Sequence, residues 1–352
     1  GADLSGGLID VGGIGSIAGQ ANIGLSAASS NVSGTSTADA DATSTTINGA
    51  DLSGGLIDVG GIGSIAGQAN FGLSASSSNV SGTSTADAGS TTASGLIGKG
   101  TSASTFGIDV ASDSGLSGMA IGSLTADASS TAGAASATAG DGDSAIGAKL
   151  PSLNVGGISD LTGAAQLDTS ATASNVGSGA AAATAKAGEG QTVTGLTTGL
   201  GGTLDAASPA APGAANGVSA PTFGAFNIDV ASDSNITAQG FSNLDASATS
   251  TSGDATANAG DATSSVTGIA SGMDISIGGL SDLMAQAQGT ADADASTVSG
   301  QATALAAQQS MGIEDLEMLV SSDSDLSAIS SVFGGANADS TANRADADME
   351  FD

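Results

Sequence analysis

From Val32 to Thr43 the chain alternates without a break. Even positions hold Val32, Gly34, Ser36, Ala38, Ala40 and Ala42; odd positions hold Ser33, Thr35, Thr37, Asp39, Asp41 and Thr43. A period of two is the period of a strand, here with a small-residue face and a polar face. The pattern returns at Ala181, Ala183, Ala185 and Ala187, at Ala255, Ala257 and Ala259, and at Ala291, Ala293 and Ala295. In some units the phase slips once. Ala126, Ala128, Ala132 and Ala134 are even, whereas Ala135, Ala137 and Ala139 are odd, which predicts a bulge or tight turn between them. Alanine is a poor strand former, so its confinement to one face reads as a steric requirement: a second sheet must come close. Larger side chains gather in short segments such as residues 8–17, which suit the corners or central layer of a stack. One region follows a different period. Leu326, Ile329 and Phe333, after Ser322 and Asp323, are spaced as one face of a short capped helix, and Ile313, Leu316 and Leu319 predict another turn or two before it.

The alternating tracts belong to a repeat. Residues 1–40 and 49–88 match at an offset of 48 with two differences, Ile23/Phe71 and Ala28/Ser76. Weaker copies carry Gly-Gly-Ile/Leu at Gly12, Gly60, Gly156 and Gly278, each followed 19 residues later by Asn31, Asn79, Asn175 or Thr297. A second unit type opens with Ser-Asp-Ser, in residues 108–118, 228–238 and 319–328. With A for the first type and B for the second, the order is A, A, B, A, B, A, B. Periods in this range point to stacked arrays, in which each unit buries its faces on its neighbours. The chain divides into tandem repeats at 1–95, a connector at 96–105, a repeat pair at 106–200, a Pro/Ala/Gly linker or loop at 201–221 and a further repeat region at 222–352. The expected fold is all-β with minor short helices, a repetitive stacked sheet or β-solenoid with long Ala/Gly-faced strands.

Composition narrows the function. There is no Cys, His, Trp or Tyr and only 7 Phe, with 35 acidic against 4 basic residues and a net charge of −31. Few large apolar residues and a high net charge resemble a disordered chain; the ordered repeat argues against that. Of the acids, 31 are Asp and 4 are Glu, which favours turns over helices. Neutralising phosphates needs Lys and Arg, so nucleic acid and anionic membrane surfaces are excluded as partners. No apolar run approaches the ~20 residues of a membrane span. A chain that starts at Gly with no visible signal peptide reads as a processed product.

The chemistry that remains is narrow. Without His or Cys there is no Ser-His-Asp or thiolate catalysis and no imidazole or thiolate metal site, and no carboxylate pair stands out, so the expectation is a protein that is not an enzyme. Oxygen-only binding of Ca²⁺ stays open at Asp39/Asp41, Asp292/Asp294 and Asp346/Asp348, whose members sit about 7 Å apart on one strand face. A solvated acidic face that keeps molecules apart is the simpler account. The sequons at Asn31, Asn79 and Asn235 read more simply as Asn at turns. At the C-terminus, Met349 and Phe351 replace Ala on the small face, which suits docking into a neighbouring sheet edge or folding back on the same domain.

This Gly/Ala/Ser/Thr/Asp-rich, acidic, cysteine-free repetition resembles secreted microbial fibre and adhesin sequences. The resemblance implies an extracellular or cell-surface protein. The expected function is a structural subunit that forms homopolymers as a filament, sheath or matrix fibre. The alternatives are a monomeric adhesin or ice- or surface-binding repeat protein, or a Ca²⁺-dependent surface-layer protein.

Overall fold

A computed structural model describes residues 2–3, 8–10, 14–40, 43–48, 50–51, 56–58, 62–89, 91–97, 108–109, 113–148, 153–154, 158–177, 181–188, 190–196, 228–229, 233–267, 275–276, 280–306, 309–314 and 325–349. Every regular element among them is a strand, and every pairing is parallel. Seven long strands define seven rungs: Ile14–Ser33, Ile62–Ser81, Asp113–Ser130, Ile158–Asn175, Asp233–Ser250, Leu280–Thr297 and Asp325–Ser340. They stack in chain order into one seven-stranded sheet. Each long strand ends in a tight turn, and a five-residue strand then runs back over its second half: Ser36–Ala40, Ser84–Ala88, Ala135–Ala139, Ala183–Ala187, Ala255–Ala259, Ala302–Ala306 and Ala345–Met349. In rungs 1 to 6 a third strand, such as Thr91–Ile97 or Gly142–Ala148, continues over the first half. The chain is a parallel β-solenoid of two facing layers, one long strand per repeat unit.

Alternation and stacking together make columns. One inner column of the five-residue strands reads Ala38, Ala86, Ala137, Ala185, Ala257, Ala304, Ala347. The long sheet answers with Ala27, Ala75, Ala126, Ala171, Ala246, Ala293, Ala336. Apart from the end rungs these alanines are buried, and they form the core with Phe71, Leu73, Leu124, Leu167 and Leu244. A methyl group contributes only about 0.8 kcal/mol on burial, so cohesion comes from many small contacts plus a backbone ladder that runs the length of each rung. Where a hydroxyl faces inward it finds a partner: Ser144 Oγ donates to the Ala120 carbonyl at 2.8 Å, and Thr192 Oγ1 donates to Ser264 Oγ at 2.7 Å.

The turns are built by a second kind of column. Asn79, two residues before the end of the rung 2 strand, is in register with Ser130, Asn175, Ser250, Thr297 and Ser340, which close the long strands of rungs 3 to 7. Ser130 Oγ accepts from the Gly133 N–H and donates to the Gly82 carbonyl of the rung before, both at 2.9 Å. Thr297 does the same with the Gly300 N–H (3.1 Å) and the Gly253 carbonyl (2.8 Å), and Ser340 with the Asn343 N–H (3.1 Å) and the Gly300 carbonyl (2.8 Å). Asn79, also buried, accepts from the Ser81 N–H at 3.2 Å through Oδ1 and donates through Nδ2 to the Gly34 carbonyl of the rung before and to the Thr83 carbonyl of its own turn. Glycine is required beside these caps. Gly34 and Gly82 have positive φ (98° and 126°), and a Cβ on Gly82 or Gly133 would collide with the turn carbonyl of the preceding rung.

Two expectations are corrected. The run from Val32 to Thr43 is not one strand. The long strand ends at Ser33, Gly34 and Thr35 turn, and five- and six-residue strands follow at Ser36–Ala40 and Thr43–Asn48. Ser36, Ala38 and Ala40 face inward as expected, but Val32 is 73% exposed, because the turn inverts the phase. The helix over Leu326, Ile329 and Phe333 does not form. These residues lie in the strand Asp325–Ser340, paired throughout with rung 6, and Ile329 and Phe333 face outward. A neighbouring rung offers that backbone a complete set of partners, which a helical spacing of three apolar residues does not outweigh. Ile313 is likewise in a strand, Gln309–Glu314, while Leu316 and Leu319 lie outside the described residues. Leu96 and Ile97 end a third strand; the rest of the 96–105 connector and all of 201–221 are outside the described residues.

Candidate functional site

Among the surfaces that the layers leave are the outer face of the long sheet, the outer face of the five-residue strands, and the edges at rungs 1 and 7. On the five-residue strands only two columns point outward. One reads Thr37, Thr85, Ser136, Thr184, Thr256, Thr303, Asp346; the other reads Asp39, Asp87, Thr138, Lys186, Asn258, Leu305, Asp348. Asp39 and Asp348 therefore share a column but stand at opposite ends of it. Asp346 is held by Arg344, whose Nε lies 2.7 Å from Oδ2. Asp41 and Phe351 lie outside the described residues, and Met349 closes the last five-residue strand, paired with Ala306.

Asp292 and Asp294 occupy the other side of the molecule, on the outer face of the long strand of rung 6. The five described sequence-predicted metal ligands thus fall on separate faces and ends, and the described residues contain no group of three or more acids placed to hold a metal ion. Stacking creates acidic neighbours that pairing within one strand does not reveal. Asp245 of rung 5 is in register with Asp292, and burial, then Asp292, then Asp294, push its carboxyl above the usual carboxylate range. Asp87 is raised in the same sense by burial and then by Asp39 of rung 1. The sequence did hold a signal for both pairs, since their offsets, 47 and 48 residues, are repeat lengths.

The outer face of the long sheet is divided along its length. Its second half carries Asp127, Asp245, Asp292, Asp294 and Asp339 among Ser and Thr. The four columns from Ala18 to Gly24 contain one charged residue across seven rungs, Asp168, which accepts from Gln166 Nε2 at 2.9 Å, while the column before them holds Asp160, Asp282 and Asp325. One column there reads Gln20, Gln68, Met119, Ala164, Gln239, Gln286, Ile329, with amide bonds from Gln20 to Gln68 and from Gln239 to Gln286. A shallow groove of about 420 Å³ crosses rungs 1 to 4 beside it.

At the edges the core is open. Ile23 and Leu25 of rung 1 are 39% and 45% exposed, whereas their column mates Phe71 and Leu73 in rung 2 are 3% and 2% exposed. Among the described residues no strand pairs beyond rung 1 or rung 7 in either seven-stranded sheet, and no helix is long and apolar enough to cross a membrane. No family model, curated protein or solved structure matches the chain.

Proposed function

We propose that the chain is a structural subunit that assembles with copies of itself into an extracellular filament, sheath or matrix fibre. One observation carries this reading: among the described residues the inner columns and the backbone ladder end at rungs 1 and 7 with no further strand paired on them. Rung 1 of one copy set on rung 7 of another continues Ala336 into Ala27 and Ala338 into Ser29, and gives both strand edges their missing partners. Strand addition of this kind supplies main-chain hydrogen bonds along the whole rung. A head-to-tail contact that does not close on itself produces a filament. The extracellular setting follows the compositional resemblance to secreted fibre proteins.

Electron microscopy of the full chain tests the reading, with Ala347→Lys as the blocking variant. Ala347 continues the inner Ala column and is exposed at the rung 7 edge. A charge there opposes stacking while leaving rungs 1 to 6 intact. The expected result is filaments from the natural chain and single particles from the folded variant. Single particles from the natural chain at every concentration overturn the proposal. The alternative, a surface-binding solenoid, is favoured by the outward column from Thr37 to Thr303, hydroxyl groups spaced by the strand separation of about 4.8 Å. Single particles that also show thermal hysteresis or bind a crystalline polysaccharide support that alternative.

A further inference from the structure

We infer, on the end-to-end reading above, that Asn31 completes the junction between copies: its side-chain amide donates to the Asn343 carbonyl in the rung 7 turn of the copy before it. In rung 2, Asn79 Nδ2 donates twice, to the Thr83 carbonyl of its own turn at 3.0 Å and to the Gly34 carbonyl of rung 1. Asn31 stands in register with Asn79 in a near-identical unit and makes the first of these bonds, to its own Thr35 carbonyl at 3.3 Å. Among the described residues its second amide hydrogen has no acceptor, and no strand pairs ahead of rung 1. Val32 shows the same deficit in the backbone. The matching N–H groups of rungs 3 to 7 donate to the carbonyl of the rung before, as Thr131 does to Asn79 (3.0 Å) and Thr341 to Thr297 (3.2 Å). The Val32 N–H turns instead to its own Asn31 Oδ1 at 2.8 Å. Space for an incoming turn is open too. A Cβ on Gly82, Gly133 or Gly300 would collide with the turn carbonyl of the rung before, while one on Gly34, at the same place in the turn, would meet only Asn31 Nδ2 at 3.6 Å.

The acceptor follows from the stack. Ser130, Thr297 and Ser340 donate to the residue three places after the cap of the preceding rung, which is Gly82, Gly253 and Gly300 in turn; counted from Ser340, that residue is Asn343. Asn343 is anchored by its N–H to Ser340 Oγ and by Nδ2 to the Ser299 carbonyl, and among the described residues nothing donates to its own carbonyl. Seating Asn31 there sets every other column. Leu25, 45% exposed, comes beside Gly334, and Phe333, 57% exposed, comes beside Gly24, where a Cβ would meet nothing within 4 Å. A large side chain at each end thus meets glycine at the other. Asp339 and Asp346 of rung 7 come beside Ser30 and Thr37. Asp348 comes beside an acid, Asp39, but the chain already stacks Asp39 on Asp87 and Asp245 on Asp292, so the ladder accommodates such a pair.

Assembly of the full chain, followed by light scattering and electron microscopy, separates this contact from the end-to-end reading itself. Asn31→Asp keeps an oxygen acceptor for the Val32 and Ser33 N–H groups but exchanges the amide donor for a second oxygen. The single molecule is expected to stay folded, while the junction sets a carboxylate against the Asn343 carbonyl and needs a concentration about tenfold higher to assemble. Asn22→Asp, on the outer face of the same strand, adds the same charge and is expected to assemble within about threefold of the natural chain. Asn31→Ser supplies the hydroxyl that caps rungs 3, 5 and 7 at this position and is expected to assemble as the natural chain does. The natural chain gives one reading that no variant affects: a subunit rise of about 34 Å, seven rungs at about 4.8 Å. Absence of filaments from the natural chain overturns end-to-end assembly and this contact with it. Filaments that Asn31→Asp leaves unchanged, equal losses in Asn31→Asp and Asn22→Asp, an Asn31→Ser chain as defective as Asn31→Asp, or a subunit rise clearly different from that value overturn the contact alone.

Discussion

Thr297 and Thr169 are both buried in long strands, yet one exchange affects them in opposite directions. The Thr297 hydroxyl joins two turns, accepting from the Gly300 N–H and donating to the Gly253 carbonyl, whereas Thr169 Oγ1 is buried with no partner. Thr297→Val keeps the shape but strands a buried donor and a carbonyl, so it is expected to lower stability by about 1–3 kcal/mol. Thr169→Val removes an unsatisfied group from a column that also holds Leu73, Leu124 and Leu244, and is expected to raise stability by a similar 1–3 kcal/mol. Urea unfolding of the two variants beside the natural chain reads both signs; equal losses at the two sites would contradict this account of the turn. The caps were half visible in sequence, as the Asn31, Asn79, Asn175, Thr297 series. Ser130, Ser250 and Ser340 were lost among the many other serines, because only the stacked neighbour shows which hydroxyl has an acceptor.

At the level of the strand, the alternating Ala tracts were legible because period two needs no partner to be seen. The turns were less so. In six rungs the last inward residue of the long strand and the first of the five-residue strand are five apart, as in Asn31 to Ser36 and Ser130 to Ala135. An odd step inverts the phase, which shows as a slip at Ala134–Ala135 but hides between Val32 and Ser36, where small and polar residues happen to keep alternating. The expected helix does not form for a related reason: the ladder to rung 6 fixes the backbone from Asp325 to Ser340 as a strand, with Ile329 and Phe333 on its outer face. The Ala columns set a volume limit at this scale. Ala185 is fully buried between Ala137 and Ala257, so Ala185→Leu overpacks the layer and is expected to cost about 1–3 kcal/mol, seen as a lower thermal midpoint. A neutral outcome would mean that the two layers are not tightly apposed.

For the whole molecule, acidity sets how stability responds to pH. Asp87 and Asp245 have carboxyl groups raised above 3.8 in the folded chain, so between that value and their raised ones the native state binds more protons than the unfolded state. These two groups therefore add stability as pH falls through their raised values towards about 4, the reverse of the usual carboxylate contribution, and add no more below it. Asp245→Asn is expected to stabilise the chain by roughly 0.2–1 kcal/mol at neutral pH and to add nothing once the carboxyl is protonated. A gain from Asp245→Asn in thermal midpoint that is as large at about pH 4 as at neutral pH would contradict the sign. The surfaces were the least legible feature in sequence. One column gathers Gln20, Gln68, Met119, Ala164, Gln239, Gln286 and Ile329 at steps between 43 and 75 residues, since the corners absorb insertions that the columns do not feel. The turn caps also give the stack a direction. Asn79, Ser130, Ser250, Thr297 and Ser340 each donate to a carbonyl of the rung before, and none to the rung after. A nascent chain leaving the ribosome or a secretion pore amino end first always meets a template already in place, so it can wind itself up vectorially, each turn locked by the next to emerge.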